Sequence, residues 1–260
     1  MKFLIVFVHP EPRSLNGSLM RLAKETLEQA GHTVVVSDLY AQKWKPLIDH
    51  EDYGRSDEHR LMLLNASRER LNDEAVPDDI LAEQQKLLDA DGVIFQFPFW
   101  WFNMPAMLKG WFDRVYSYRF GYGTGVHSST RWDDRYGEGR LFGKRAMLSV
   151  TTGGWAEHYM KRAINGPIED LLFPINHGNL FYAGFDVLPP FLVHSSDRMS
   201  EEGFAEAAVA YRARLHNFFT DTPLAYRVQN GGDYEIPSLH LKEGLEGEGV
   251  FSPYELHLKR

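Results

Sequence analysis

A chain of 260 residues with 43% hydrophobic and 25% charged residues has room for one substantial buried core. Its formal net charge of -8 argues against a nucleic-acid partner, which would need a concentrated basic surface. With Cys 0, disulfides, cysteine-ligated metals and iron–sulfur clusters are excluded, and a reducing compartment suits the chain.

In chain order, Lys2–His9 is a continuous apolar run, as in a parallel strand covered on both faces. His9, Pro10, Glu11 and Arg13 follow it without a small-residue cleavage site, so a first strand is expected rather than a signal peptide. A helix is expected from Asn16 to Gln29, stopped by Gly31, and then a strand over Thr33–Leu39. Asp49–Glu74 is polar and poorly patterned and reads as an insertion. Pro77–Leu88 suits a helix, Gly92–Phe97 a strand and Pro105–Val115 a helix. Phe120–Phe142 reads as a long loop, Ala146–Thr151 as a strand, and Gly166–Phe173 as the start of a helix. Asp186–His194 is the last expected strand, and Ser200–Phe219 a closing helix with Ser200 as its N-cap. No run nears the ~18 apolar residues that span a bilayer, so a cytoplasmic protein without stable membrane insertion is expected. Five strands separated by helices predict an α/β, doubly wound parallel sheet with helices on both faces. Residues 1–222 would form this domain, and residues 223–260 a C-terminal arm packed on it or on a partner subunit.

Ligands of such sheets bind beyond the carboxyl ends of the strands. Three of these ends are chemically unusual. In the first, His9–Asn16, free N–H groups at a helix start favour an anion; Ser14 and Asn16 could face a diphosphate, with His9 and Arg13 adding hydrogen bonds or charge. No GxGxxG or P-loop pattern occurs there. In the second, Pro98 leads into Phe99, Trp100, Trp101 and Phe102, four consecutive rings in a loop. They suit a wall for a flat aromatic ligand, with core packing accounting for at least one of them. In the third, Thr151, Thr152, Gly153 and Gly154 allow a backbone to approach a ring edge. No metal site is expected.

The segments HPEPRSLN, FQFPFWWFNMPAMLKGWFDRV and SVTTGGWAEHYM together resemble the NAD(P)H:quinone oxidoreductases of the flavodoxin-like superfamily. VVVSDLYA, PDDILAEQQKLLDADGVIFQFP and GFDVL fit that family as well, so the likeness runs from about Lys2 to Pro223. The resemblance implies an NAD(P)H dehydrogenase (quinone): a homodimer that binds FAD, rather than FMN, and passes hydride from NAD(P)H to a quinone by a ping-pong route. By matching position, it assigns His9, Ser14, Leu15 and Asn16 to the FAD phosphates. Pro98, Phe99, Trp100, Trp101 and Phe102 fall to the flavin ring, and Thr151, Thr152, Gly153 and Gly154 to its edge. Tyr159 matches a tyrosine near the flavin O2 edge. Tyr122 and Tyr182, with Trp101 and Phe102, match the substrate pocket, the two tyrosines coming from the partner subunit.

Two positions depart from the family. Mammalian enzymes carry histidine where this chain has Asn165, which can donate only a neutral hydrogen bond, so stabilisation of reduced flavin would fall mainly to Tyr159 and the Gly153 and Gly154 amides, or to Lys161 and Arg162. Thr124 replaces a second pocket tyrosine. His127, Arg131 and Arg135 in the long loop are candidates for a nucleotide phosphate, and His158 reads as a surface histidine. The alternatives are an ancillary flavoprotein subunit of a membrane transporter and a flavodoxin-type electron carrier.

Overall fold

A computed structural model describes residues 1–55, 60–70, 76–250 and 252–259. Strand β1 (Lys2–Phe7) is an inner strand of a parallel sheet, paired on one side with β2 (Thr33–Asp38) and on the other with β3 (Gly92–Pro98). Beyond β3 come β4 (Arg145–Thr151), β5 (Asp186–Val187) and β6 (Phe191–Val193), the last two both parallel to β4. The order β2-β1-β3-β4-β5 is the flavodoxin-like one, and the direction of winding reverses between β1 and β3.

The expected last strand, Asp186–His194, is therefore present in two pieces. Leu188, Pro189 and Pro190 separate them, and the two prolines have no N–H for the ladder. At the opposite edge β2 has exposed and half-buried residues at every position but the buried Ser37, whereas β3 is buried along its whole length. That contrast is the one expected between an edge strand and a central one.

Helices cover both faces. The helices α1 (Leu15–Gln29) and α6 (Glu201–His216) enclose one core with Phe3 and Ile5 of β1. On the other face α3 (Asp78–Asp89), α4 (Ala106–Val115) and α5 (Ile168–Ile175) enclose a core with Leu4 and Val6. Ser14 caps α1 by accepting from the Gly17 N–H at 3.1 Å, and Ser200 caps α6 by accepting from the Gly203 N–H at the same distance. Gly31, at φ +82°, turns the chain out of α1. α5 begins after Pro167 and carries Pro174, which offers no N–H; the coil then widens into a π-helix over Asn176–Phe181.

Part of the Asp49–Glu74 stretch folds as a short helical turn at Glu51–Tyr53 and as α2 (Leu63–Arg70). Residues 56–59 and 71–74 lie outside the described residues. Asp52 anchors the turn: its carboxylate accepts from Arg114 at 2.7 and 3.0 Å, and both side chains are 2% exposed. After α6 the arm runs beside β5, the Leu224 N–H donating to Val187 O at 2.7 Å. Its far end, carrying α7 (Pro253–Leu256), returns alongside, with the Arg227 N–H on His257 O and the Lys259 N–H on Ala225 O. The arm also clasps the irregular Phe120–Phe142 segment, where Asn230 accepts from the Trp132 N–H and donates to Glu138. No helix among the described residues is long and apolar enough to cross a membrane.

Candidate functional site

At the carboxyl end of the sheet, the loops after β3, β4 and β6 enclose an open crevice of about 460 Å³. Small-molecule sites typically occupy roughly 300–1,000 Å³. Pro98, Phe99, Trp100 and Trp101 line it from the loop after β3, Thr151 and Gly153 from the end of β4, and Ser196 and Asp197 from the loop after β6.

The aromatic wall is a tight turn. The Asn103 N–H returns to Trp100 O at 3.1 Å, which forces Trp101 and Phe102 to φ +49° and +59°. Left-handed backbone is normally left to Gly or Asn in such a turn, and each non-glycine residue there costs of order 1–3 kcal/mol. The strained pair displays its rings: Trp101 is 94% exposed, Phe102 50% and Trp100 42%. Phe99 behaves differently. It is buried, its ring set edge-on to Phe102 and Tyr159, so of the four expected wall residues it serves as the anchor. The Trp100 ring lies 5.9 Å from His9, bringing the first and second loops together.

The helix start is only partly as expected. Ser14 caps it, leaving the N–H groups of Leu15 and Asn16 in the first turn, where no intrahelical acceptor exists. The side chain of Asn16, however, does not face the crevice mouth. It is buried, accepting from Gln96 Nε2 and donating to Thr151 Oγ1, both at 2.9 Å. A diphosphate role for that side chain is corrected to a structural one; the first-turn backbone remains available. His9 Nδ1 sits 3.1 Å from the Glu11 backbone N and O. Arg13 folds onto Glu11 through two 2.9 Å bonds, which hold the Glu11 carboxyl down at about 2. The charge of Arg13 is thus already committed.

The ring-edge segment also divides. Gly153 is exposed and lines the crevice; a Cβ there would come within 2.9 Å of Asp197. Gly154 leaves room for the Tyr159 ring, which a Cβ would meet at 3.1 Å. Thr152 is turned inward, its hydroxyl 2.9 Å from His194 Nδ1 and 3.1 Å from Gly154 O, so only its backbone is left to meet a ligand edge. Tyr159 stacks on His194 with ring centres 5.5 Å apart and lines a neighbouring groove with Met160, Lys161 and Pro167. The Asn165 N–H donates to His158 O at 3.3 Å, which ties the Asn165 loop to the Tyr159 turn.

Tyr122 and Tyr182 do not line this crevice. Tyr122 pairs with Tyr118 and borders a cavity with Asp52 and Arg114, while Tyr182 packs edge-on to Tyr136. In the long loop, His127 faces Asp133 at 3.2 Å, and Arg131 is paired with Asp134 and Glu138. Arg135 lies over the Tyr182 ring.

Three neighbours of the site escaped the sequence reading: His194, Ser196 and Asp197. Their signal was positional. They follow directly on the last strand, at the same end of a parallel sheet as the other three loops.

The chain matches the family described as flavodoxin-like fold over residues 1–215. It is 55% identical over 260 residues to ribosyldihydronicotinamide dehydrogenase-like protein traD of Penicillium crustosum, covering 100% of this chain and 96% of that one. It is 34% identical over 256 residues to NAD(P)H dehydrogenase [quinone] 1 of Cavia porcellus, covering 97% and 90% respectively. A solved structure from Klebsiella pneumoniae, provisionally named a quinone reductase, superposes with a TM-score of 0.94 at 51% identity, covering 98% of this chain and 99% of that one. The chain therefore belongs to the flavodoxin-like family of quinone reductases.

Proposed function

We propose that this flavodoxin-like family member is an NAD(P)H dehydrogenase (quinone) that holds FAD in the crevice beyond β3, β4 and β6. The observation that carries the reading is the strained turn at Trp101 and Phe102, through which exposed tryptophan rings share one crevice with the bare backbone of Gly153. Such a slot takes a flat ring system on its face and leaves an edge to backbone groups. When bound, the flavin supplies a two-electron centre that accepts hydride from the nicotinamide and returns it to a quinone.

This chain's residues bind and orient. Trp100, Trp101 and Phe102 cover the ring, the Gly153 backbone meets its edge, and the first-turn N–H groups at Leu15 and Asn16 take a phosphate. Tyr159, held behind Gly154, and Asn165 stabilise negative charge at the ring edge. The exposed Trp101, Trp155, Met160 and Ile164 surfaces support a homodimer, in which Tyr122 and Tyr182 of a second copy would complete the substrate pocket.

One observation favours a variant of this reading, in which the preferred donor is a dihydronicotinamide riboside without a nucleotide tail. Of the long-loop candidates, Arg131 is paired with Asp134 and Glu138, His127 is turned onto Asp133, and Arg135 lies over the Tyr182 ring, so none is directed at a diphosphate. The test is direct. Freshly purified protein should absorb as a flavoprotein and release FAD, and should oxidise NADH, NADPH or dihydronicotinamide riboside steadily with a quinone acceptor. A colourless protein that takes up no flavin would overturn the enzyme reading; bound flavin without turnover would point to an electron carrier or a transporter subunit. Donor rates decide the variant.

A further inference from the structure

We propose that His194 is a positioning residue of the ring-edge loop, setting the Gly154 peptide through Thr152 and the Tyr159 ring by stacking. The inference rests on the reading of this loop as the edge of the flavin site.

Thr152 has one hydroxyl proton and two neighbours within bonding distance: Gly154 O at 3.1 Å and His194 Nδ1 at 2.9 Å. If Nδ1 is bare, the hydroxyl can satisfy only one of them. If Nδ1 carries the proton, His194 donates to Thr152 and Thr152 donates onward to Gly154 O, and both contacts become hydrogen bonds. The arrangement in which both contacts are hydrogen bonds is the Nδ1–H tautomer, and it is the one we assign to His194. Gly154 O also accepts from the Ser195 N–H at 3.0 Å, so the peptide is gripped from the β4 side and from the loop after β6.

The same imidazole lies against Tyr159, with ring centres 5.5 Å apart and planes inclined at 30°. Phe99 closes on the tyrosine edge-on at 6.4 Å, and Gly154 leaves space that a Cβ would fill. Tyr159 is thus held by three neighbours, and His194 is the one that also fixes a backbone carbonyl. Burial holds the imidazole below the ordinary histidine range, so the neutral ring does this work; Glu157, the charged group acting on it, pulls the other way.

Nitrogen-15 NMR of the flavin-free protein at pH 7.5 tests the tautomer. His194 should show protonated Nδ1 and bare Nε2, and Thr152→Val should return it to the usual Nε2–H form. In the flavin-loaded protein, His194→Phe keeps a stacking ring without the donor, and His194→Asn keeps a donor at the Nδ1 position without the stack. Each should lower kcat by roughly five- to tenfold, the equivalent of about one hydrogen bond, with the donor KM within about twofold. His194→Ala should lose more than either. An Nε2–H tautomer in the unaltered protein, a tautomer insensitive to Thr152→Val, or an unchanged kcat in His194→Phe would each overturn the proposal. Should the chain bind no flavin, the NMR result still decides the hydrogen-bond relay, so the two readings fail separately.

Discussion

Asn16 and Thr151 lie 135 positions apart in sequence, yet the Asn16 amide donates to the Thr151 hydroxyl at 2.9 Å beneath the crevice floor. Gln96 completes the line by donating to Asn16, so the starts of α1 and the ends of β3 and β4 share one buried polar chain. Asn16→Ala leaves the Gln96 amide without its acceptor and should cost about 1–3 kcal/mol. Urea denaturation would show it as a lower midpoint at unchanged slope. A double variant, Asn16→Ala with Gln96→Leu, should recover part of the loss.

Trp101 gives the opposite sign. Its ring is 94% exposed, so its removal forfeits little burial within the chain, while glycine relieves the left-handed backbone. Relief of order 1–2 kcal/mol exceeds the roughly 0.5–1 kcal/mol of added chain entropy that glycine brings. Trp101→Gly should therefore raise the melting temperature of the flavin-free protein slightly while weakening flavin retention. Thermal melts and equilibrium dialysis check the two halves; lower stability together with unaltered flavin binding would contradict both.

His177 makes stability depend on pH. Burial against Tyr136, Phe173 and His257 pushes its imidazole down to about 3, against 6.5 for a free histidine. Between those values the unfolded chain binds a proton that the folded chain refuses. The stabilisation is complete above pH 6.5 and is lost as the pH falls toward 3, at up to about 1.4 kcal/mol per pH unit from this residue. His194 and His257, also shifted down by burial, add in the same direction. Urea midpoints at pH 7 and pH 5 should differ, and His177→Phe should shrink the difference.

Asn165→His tests the charge at the ring edge. At pH 6 an introduced imidazole is largely cationic, and a charge-assisted hydrogen bond is about twice as strong as a neutral one. Stopped-flow flavin reduction should speed up at pH 6, by roughly fivefold, and hardly at pH 8.5. Equal rates at both values would remove Asn165 from the mechanism.

The sheet was legible because β1, β3 and β4 are predominantly apolar runs followed within a few residues by Gly or Pro, and the caps at Ser14 and Ser200 sit where the pattern puts them. The aromatic wall was legible because four adjacent rings cannot all face a core. Side-chain direction was not. Whether Asn16 points out from the first turn or in toward Thr151 depends on a partner far away in sequence, and the inward turns of Thr152 and Phe99 depend on His194 and Tyr159 in the same way. The break between β5 and β6 shows in Pro189 and Pro190, but a run of apolar residues around them masks it.

The division between Phe99, tucked inward, and Trp100–Phe102, turned outward, has a bearing on how such a protein can drift. One ring fastens the loop, whereas the Trp101 ring, 94% exposed, adds little to the stability of the chain that carries it. Substitutions at Trp101 can then change the surface that the loop presents without endangering folding. Change at the mouth of the crevice is thereby uncoupled from the fold, provided the pin at Phe99 stays in place.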